Sequence, residues 1–159
     1  MIDKNQAVID FLVNCPQLKN NPVFFNFINA KDNNKQILVM GSDQAVNTPF
    51  IDGSVQKIYT FTIIDFRSVT YQALVKLPGY ENENVQELLD VQSIIDWVNE
   101  QSNNYNYPNF GEDCLIDEMI VTSNSPMLNG IDTSANPALA KYSITIQIKY
   151  IDNSKKLWN

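Results

Sequence analysis

Four acidic residues close together, Glu112, Asp113, Asp117 and Glu118, are the side chains with the clearest potential for chemistry. Paired carboxylates can hold Mg²⁺ or Ca²⁺, or can act together as a general acid and a general base. On a β-strand, however, residues 113 and 117 share one face and residues 112 and 118 the other, unless the strand begins after Asp113. The spacing therefore favours an acidic loop and strand edge, and the alternative is a carboxylate-based hydrolase or metal-binding enzyme.

Asp65 is a second candidate acid, because it lies between Ile64 and Phe66 in a run rich in β-branched and aromatic residues. A carboxyl group buried in such a strand would have a raised pKa and could serve as a catalytic acid. The alternative is a carboxylate paired on the strand face with Arg67 or Lys57. We favour this pairing over the catalytic role.

Histidine is absent from the 159 residues, which excludes Ser-His-Asp and Cys-His mechanisms and metal sites with histidine ligands. Neither GxGxxG nor GxxxxGK[ST] occurs, so the sequence does not support a dinucleotide site or a P-loop. The two cysteines, Cys15 and Cys114, lack the spacing of a zinc site or a disulfide framework, and we expect reduced, partly buried thiols. We therefore expect no enzyme activity, no metal and no cofactor.

The formal net charge of −7 and the isoelectric point of about 4.4 argue against binding to DNA or anionic lipid through bulk charge. Tyr105 and Tyr107 could stack on nucleobases, but without nearby cations to hold phosphates they indicate an ordered loop. No apolar run approaches the roughly 20 residues of a membrane span, and the first residues are polar, unlike a secretory signal. We expect a chain made in the cytoplasm that binds neither membranes nor specific nucleic-acid sequences.

Hydrophobic periodicity predicts the elements that position these residues. Two main helices are expected, over about 3–14 with Asp3 as N-cap and over about 84–102 with Asn84 as N-cap. Strands are predicted over about 23–28, 36–40, 55–67, 114–122 and 138–151, and the last contains the alternating KYSITIQIKY. Neighbouring strands without helical crossovers favour antiparallel pairing. We therefore predict one α+β domain over residues 1–159, a mostly antiparallel sheet flanked by two main α-helices.

Apolar residues on both faces of the strand over 55–67 predict a central strand, covered on both sides or partly by a neighbouring subunit. Large apolar residues also fall in the predicted loops 42–54 and 123–137 and in the short tail. Such residues fold back onto the core or, when exposed, often mark partner surfaces. The candidate interface residues are Phe50, Ile51, Met127, Leu128, Ile131, Leu157 and Trp158.

Six segments of the chain, taken together and in order, also carry a resemblance to a known family. They are AVIDFLVNCP (7–16), FFNFINAKDNNKQI (24–37), QKIYTFTIIDFRSV (56–69), VQSIIDWVNEQ (91–101), FGEDCLIDEM (110–119) and ALAKYSITIQIKY (138–150). This combination resembles the small tail terminator proteins of tailed phages from Gram-positive hosts, which are often described as minor capsid or minor structural proteins. None of the segments is a catalytic or ligand motif, so the resemblance rests on the overall likeness.

The resemblance implies an α+β subunit of a hexameric ring in the tail or neck of a virion. Such a ring caps the finished tail tube, stops its polymerisation and presents a surface to the head connector. The implied partners are further copies of the chain, the tail tube protein, neck proteins and, in a contractile tail, the sheath protein. Contractile phages and headless phage-tail bacteriocins use related proteins. The alternative within virion assembly is another neck, head-completion or tail component.

Overall fold

A computed structural model describes residues 3–19, 23–25, 35–46, 49–69, 83–123, 125–134 and 138–158. Its helices are α1 (Lys4–Leu12), α2 (Pro16–Lys19) and α3 (Glu83–Asn103). Its strands are β1 (Val23–Phe25), β2 (Lys35–Ala45), β3 (Val55–Val69), β4 (Cys114–Val121), β5 (Met127–Asp132) and β6 (Ala138–Asp152).

All six strands belong to one sheet, in which β6 has partners on both edges. Along one edge it pairs antiparallel with β3 over the full length of both strands, from Val55 opposite Asp152 to Val69 opposite Ala138. Along the other edge, β4 pairs with the second half of β6 and β5 pairs with its first half, both antiparallel. β2 extends the sheet beyond β3, and β1 lies outside β2. The predicted class, an α+β fold with a mostly antiparallel sheet, is confirmed.

Apolar and polar residues alternate in β6, and this alternation places one face of the strand in the core. Every second residue from Tyr142 to Tyr150 is buried, while the polar residues between them are half-buried. The buried side chains join apolar residues of α1 and α3 in one cluster, so both helices cover the same face of the sheet. Each buried isoleucine of this kind contributes roughly 1.5–3 kcal/mol through removal of apolar area from water.

β3 is a central strand, as its two apolar faces predicted. Tyr59, Phe61 and Ile63 are buried in the same cluster as the helices. Ile64 and Phe66, which point to the opposite face, are also buried within a single chain. These two residues are therefore covered without a neighbouring subunit.

The helices agree with the prediction in position but differ at their ends. Asp3 caps α1 by accepting a hydrogen bond of 2.9 Å from the backbone N–H of Asn5. α1 ends at Leu12, and Pro16 starts the short α2 rather than only ending α1, since proline suits the first position of a helix. α3 begins at Glu83, one residue before the predicted cap at Asn84.

The buried stripe of α3 also needs a correction. Helical spacing in the sequence predicts a stripe made of Val85, Leu88, Leu89, Ile95 and Val98, with Ile94 and Trp97 beside it. The side chain of Val85 lies outside the described residues, and Leu88 and Leu89 are exposed. Among the described side chains of α3, those that are buried are Val91, Ile94, Ile95 and Val98. Their spacing is that of one helix face, so the face was predicted correctly only in its second half.

Two strand predictions were wrong. The expected loop over 123–137 contains β5. The sequence hides this strand because Pro126 directly precedes it, Gly130 interrupts its apolar residues, and its pairing shifts between Leu128 and Gly130. β2 was expected to end at Gly41 but continues to Ala45, with an irregular register between Met40 and Asp43. Both strands contain irregularities in their pairing. These remove the alternation of apolar and polar residues by which a strand is predicted from sequence.

The parallel pairing of β1 with β2 contradicts the expectation of antiparallel neighbours. Val23 lies opposite Gln36, and Phe25 lies opposite Leu38. Because β1 has only three residues, the chain needs to return by roughly 10 Å to run parallel, which a short connection can span. The connecting residues 26–34, which include the rest of the predicted strand 23–28 and the predicted turn, lie outside the described residues.

Asp65 and Arg67 form a buried ion pair on β3. The carboxylate is completely inaccessible, and it accepts hydrogen bonds of 3.1 Å from Nε and 3.0 Å from Nη2 of Arg67. Nη1 of the same guanidinium lies 3.6 Å from the half-exposed Asp90 of α3. The predicted pairing of Asp65 with Arg67 is confirmed, and it ties the central strand to the helix that covers it.

We expect Arg67→Met to lower the free energy of unfolding by about 3 kcal/mol, because the Asp65 carboxylate would remain buried without its guanidinium partner. Urea unfolding followed by circular dichroism measures the change. The matched control is Lys149→Met, which removes an ion pair with Glu118 at the surface and should cost less than about 1 kcal/mol. Equal losses in the two variants would contradict the structural role of the buried pair.

Candidate functional site

The four clustered acids do not converge on a common point. Glu112 and Asp113 precede β4, and the backbone carbonyl of Asp113 accepts a hydrogen bond of 2.7 Å from the N–H of Asn153. In β4, a shift in register between Ile116 and Glu118 leaves Asp117 at a bulge. β4 begins at Cys114, as predicted, so the stated exception to the division of the acids between two strand faces applies. The bulge at Asp117 also interrupts the regular alternation of faces.

The remaining acids of this cluster are exposed or paired. Glu118 accepts a hydrogen bond of 3.0 Å from Nζ of Lys149 on β6, and Asp117 is exposed. Within the ranges that the structure describes, no three His, Cys, Asp or Glu side chains are grouped so that they could hold a metal ion. Asp65, the other candidate acid, is bound to Arg67 and closed to solvent. This geometry favours surface and structural roles for the carboxylates.

Tyr105 and Tyr107 belong to an ordered turn that ends α3. Tyr105 has a φ of 55°, and the N–H of Asn106 donates a 2.9 Å hydrogen bond to the carbonyl of Gln101. This is the pattern of a Schellman helix end, whose left-handed residue is usually glycine. The two tyrosine rings lie 6.4 Å apart and perpendicular to each other. Their side chains contact each other instead of forming two parallel platforms for bases.

The candidate interface residues at the β2–β3 turn and in the tail lie at the same end of the sheet. Leu157 donates its backbone N–H to the carbonyl of Asp52 at 2.7 Å, and Nζ of Lys156 lies 3.8 Å from the Asp52 carboxylate. Gly53 has a φ of 87°, and a Cβ atom there would lie 2.5 Å from the backbone oxygen of Lys155. The tail is therefore fixed directly on the turn, and only glycine permits this close approach.

This docking brings four large apolar side chains to one end of the molecule, and we call them the turn–tail patch. They are Phe50 (48% exposed), Ile51 (92%), Leu157 (72%) and Trp158 (56%). The alternative that these residues fold back onto the core does not apply, since about half or more of each side chain remains accessible. Leu115 of β4, which sequence reasoning missed, is exposed opposite Ile151 at the same end.

The remaining candidates form a second exposed surface on β5, which we call the β5 patch. Met127, Leu128 and Ile131 are each more than 50% exposed. Leu128 lies opposite Tyr142 and Ile131 opposite Ala140, so both share the face of the sheet that carries the core. Among the described strands, β5 pairs only with β6, which leaves its outer edge free. The β5 patch therefore combines apolar side chains with an unpaired strand edge.

The two patches lie at opposite ends of β6. The β5 patch is beside Tyr142, whereas the turn–tail patch is beside Asp152. Ten residues of extended strand separate these two positions, which corresponds to roughly 33 Å.

Comparison of the sequence with protein-family models and with curated proteins finds no match. Function is therefore inferred from the residues and their geometry. The described part of the chain contains no helix that is long and apolar enough to cross a membrane.

Further exposed apolar side chains that the sequence did not single out are Leu88, Leu89 and Ile120. Leu88 and Leu89 belong to the apolar stripe of a predicted helix, and Ile120 lies in a predicted strand. The sequence pattern therefore predicted burial for all three and gave no sign that they lie on the surface.

Asp152 anchors the start of the tail. Its carboxylate accepts hydrogen bonds of 2.7 Å from Nζ of Lys57 and 2.9 Å from the N–H of Ser154. Burial raises the pKa of this carboxyl, but the bonds from Lys57 and Ser154 outweigh burial and hold the pKa well below its ordinary value. A depressed pKa in the folded state means that the anchor stabilises the fold above the unfolded pKa of about 3.9 and loses this effect as the pH falls.

We expect Asp152→Asn to lower the free energy of unfolding by about 1 kcal/mol at pH 6. The difference from wild type should shrink progressively below about pH 4, because this carboxyl then binds a proton in the unfolded chain while it is still ionised in the fold. Urea unfolding at several pH values between 6 and 2 measures this. A difference that stays constant across the range would show that the ionised carboxylate does not stabilise the anchor.

For the acidic cluster, we expect the double variant Asp117→Asn with Glu118→Gln to fold normally and to assemble like the wild type. The variant removes only an exposed carboxylate and a surface ion pair, worth less than about 1 kcal/mol. Calorimetric titration with Mg²⁺ and Ca²⁺ should give the same result for both proteins. Divalent-ion binding that is present in the wild type and lost in the variant would support the enzyme alternative instead.

Proposed function

We propose that this chain is a structural protein without catalytic activity that closes the end of a phage tail tube as a ring of identical copies. The ring would stop tube polymerisation and present a joining surface to the head connector. The observation that carries the proposal is the pair of exposed apolar patches at opposite ends of β6. The role places the chain in the tail or neck of the virion after synthesis in the host cytoplasm.

Two different patches on one subunit suit a ring. In a head-to-tail contact, one patch of a copy meets a different patch of the next, and a suitable rotation closes the series. The turn–tail patch includes two aromatic side chains, whereas the β5 patch has none and adds a strand edge that pairs with no described strand. A symmetric dimer would need only one self-complementary surface and would leave the other patch exposed.

The net charge favours assembly through these apolar patches. Every copy carries a formal charge of −7, so copies repel each other except where apolar contacts or local cations offset the repulsion. An acidic ring also suits a lumen through which DNA passes, since it does not bind the phosphate backbone. Bulk charge therefore supports a passage for DNA and argues against a DNA-binding role.

The resemblance described for the sequence supports the phage context. Five of its six segments coincide with α1, β3, α3, β4 and β6 or with the residues directly around them. The likeness therefore extends over the elements that build the core. The number of six copies comes from the resemblance alone.

The polar face of β6 is a third surface that suits a role in the ring. Thr145 contacts Thr62 across the strands, with 3.1 Å between the two hydroxyl oxygens. Ser143 accepts a hydrogen bond from the amide of Asn129, and Lys149 binds Glu118. These side chains are half-buried, and each already has a polar partner within the same chain. Such a surface suits a position that lines the ring or lies beside the next subunit.

The direct test measures the mass of the purified chain in solution by light scattering, alone and with purified tail tube protein, followed by electron microscopy. We expect ring-shaped particles that also bind the ends of tubes. Ring-shaped particles that do not bind tube ends would favour another neck component. A chain that stays monomeric and does not bind tube ends would contradict the proposal.

We expect Met127→Asp with Leu128→Asp to abolish rings while the monomer stays folded, because two charges would enter an apolar contact without partners. Both residues are more than half exposed in the monomer, so its unfolding free energy should change by less than about 0.5 kcal/mol. The matched control is Asn99→Asp with Asn103→Asp, which adds the same charge at exposed sites on α3. Normal rings in the β5 variant would remove this patch from the interface.

A further inference from the structure

A cleft of about 490 Å³ lies between α1 and the loop that follows α3. Phe11 and Trp97 contact each other in its wall, with ring centroids 5.0 Å apart, and Tyr107 adds a third aromatic side chain. The left-handed turn at Tyr105 directs the following residues back toward α1. This volume lies within the range of about 300–1,000 Å³ that is usual for ligand sites.

The polar residues of the cleft give it an acidic character. Asp3 and Asp10 line it, together with several Asn and Gln side chains, and no lysine or arginine among the described residues does. One oxygen of Asp3 caps α1, and one oxygen of Asp10 accepts a 2.8 Å hydrogen bond from Gln6. Carboxylates beside aromatic rings form the arrangement that binds cationic groups and further aromatic rings.

The tail of this same chain has the complementary chemistry. Lys155, Lys156, Leu157 and Trp158 are all exposed and follow one another without interruption. They are held in a defined turn, since the N–H of Lys156 donates a 2.9 Å hydrogen bond to the carbonyl of Asn153. Because the backbone is already ordered, binding of this segment would lose little conformational entropy.

We propose that the cleft receives the Lys155–Trp158 segment of a neighbouring copy. Trp158 enters the aromatic wall at Phe11 and Trp97, and the lysines lie beside Asp3 and Asp10. In a single chain the tail is bound to the β2–β3 turn, and none of its described residues, 153–158, lines the cleft. The proposal rests on the ring of copies inferred above, and it gives Leu157 and Trp158 of the turn–tail patch the cleft, rather than the β5 patch, as their partner in the next copy.

Charge complementarity favours a second copy of the chain as the molecule that occupies the cleft. The chain has 11 lysines and arginines against 18 acids, and the tail holds two of these cations next to its exposed tryptophan. An acidic cleft and a basic, aromatic tail on the same acidic chain therefore offer a local attraction between otherwise repelling copies. Each copy carries one cleft and one tail, which gives a head-to-tail contact.

The first experiment uses a peptide, so that it does not depend on ring formation. The peptide NSKKLWN, corresponding to residues 153–159, is titrated into the full-length ¹⁵N-labelled chain carrying Trp158→Ala. Trp97 is then the only tryptophan of the labelled protein, and its indole signal reports on the cleft. We expect a saturable shift of this signal. The control peptides NSEELWN and NSKKLAN should bind at least tenfold more weakly.

The matched protein variant for this titration is Asp10→Lys, added to the same labelled chain. Asp10 is exposed and is not the N-cap of α1, so the helix should form normally. We expect at least a tenfold loss of affinity for NSKKLWN. The absence of a saturable shift in the parent chain, or equal binding after Asp10→Lys, would overturn the proposed contact.

The second experiment examines assembled particles. Trp158→Ala and Asp10→Lys should each reduce the yield of rings, and rings should recover when Lys155→Asp is combined with Asp10→Lys. Rings that form normally in both single variants would remove the contact while leaving the tail-terminator role intact. Peptide binding by a chain that forms no rings would support the cleft and count against the proposed function. The two proposals can therefore fail separately.

Discussion

Strand β6 has to satisfy hydrogen-bond partners on both of its edges while it keeps one apolar face under the helices. β3 pairs with all of its residues, and β4 and β5 share the other edge. A slip of one residue in this register would move the side chains from Tyr142 to Tyr150 from the core to the polar face. The core, the two patches and the docking of the tail all depend on this single register.

Local patterns were sufficient for much of this architecture. The alternation in β6, the two apolar faces of β3 and the cap at Asp3 all depend on residues close together in the chain. The pairing of Asp65 with Arg67 was predictable for the same reason, since residues two apart lie on one strand face. β5 was not predictable because its residues lack a regular period. The parallel direction of the β1–β2 pair was not predictable because no local pattern in these strands encodes the direction of pairing.

The candidate surfaces show a similar division. The sequence marked Phe50 and Trp158 as apolar residues outside regular elements, but it left open whether they fold onto the core. Their exposure follows from contacts between distant residues, chiefly the hydrogen bond from Leu157 to Asp52. The cleft beside α1 was also hidden in the sequence, because Phe11 and Trp97 are 86 positions apart and each matches an ordinary helix stripe. Only the packing of α1 against α3 brings them together.

The length of β6 has a geometric consequence for any series of copies joined through the two patches. Strands in sheets have a right-handed twist, so the direction of one patch relative to the other depends on how many residues lie between them. The angle between successive subunits, and hence the diameter of a closed ring, would then be encoded in the twist of a paired strand. The patches would determine whether copies bind each other. The twist of the paired strands β3 and β6 would determine the angle between copies, and therefore the number of copies in a closed ring.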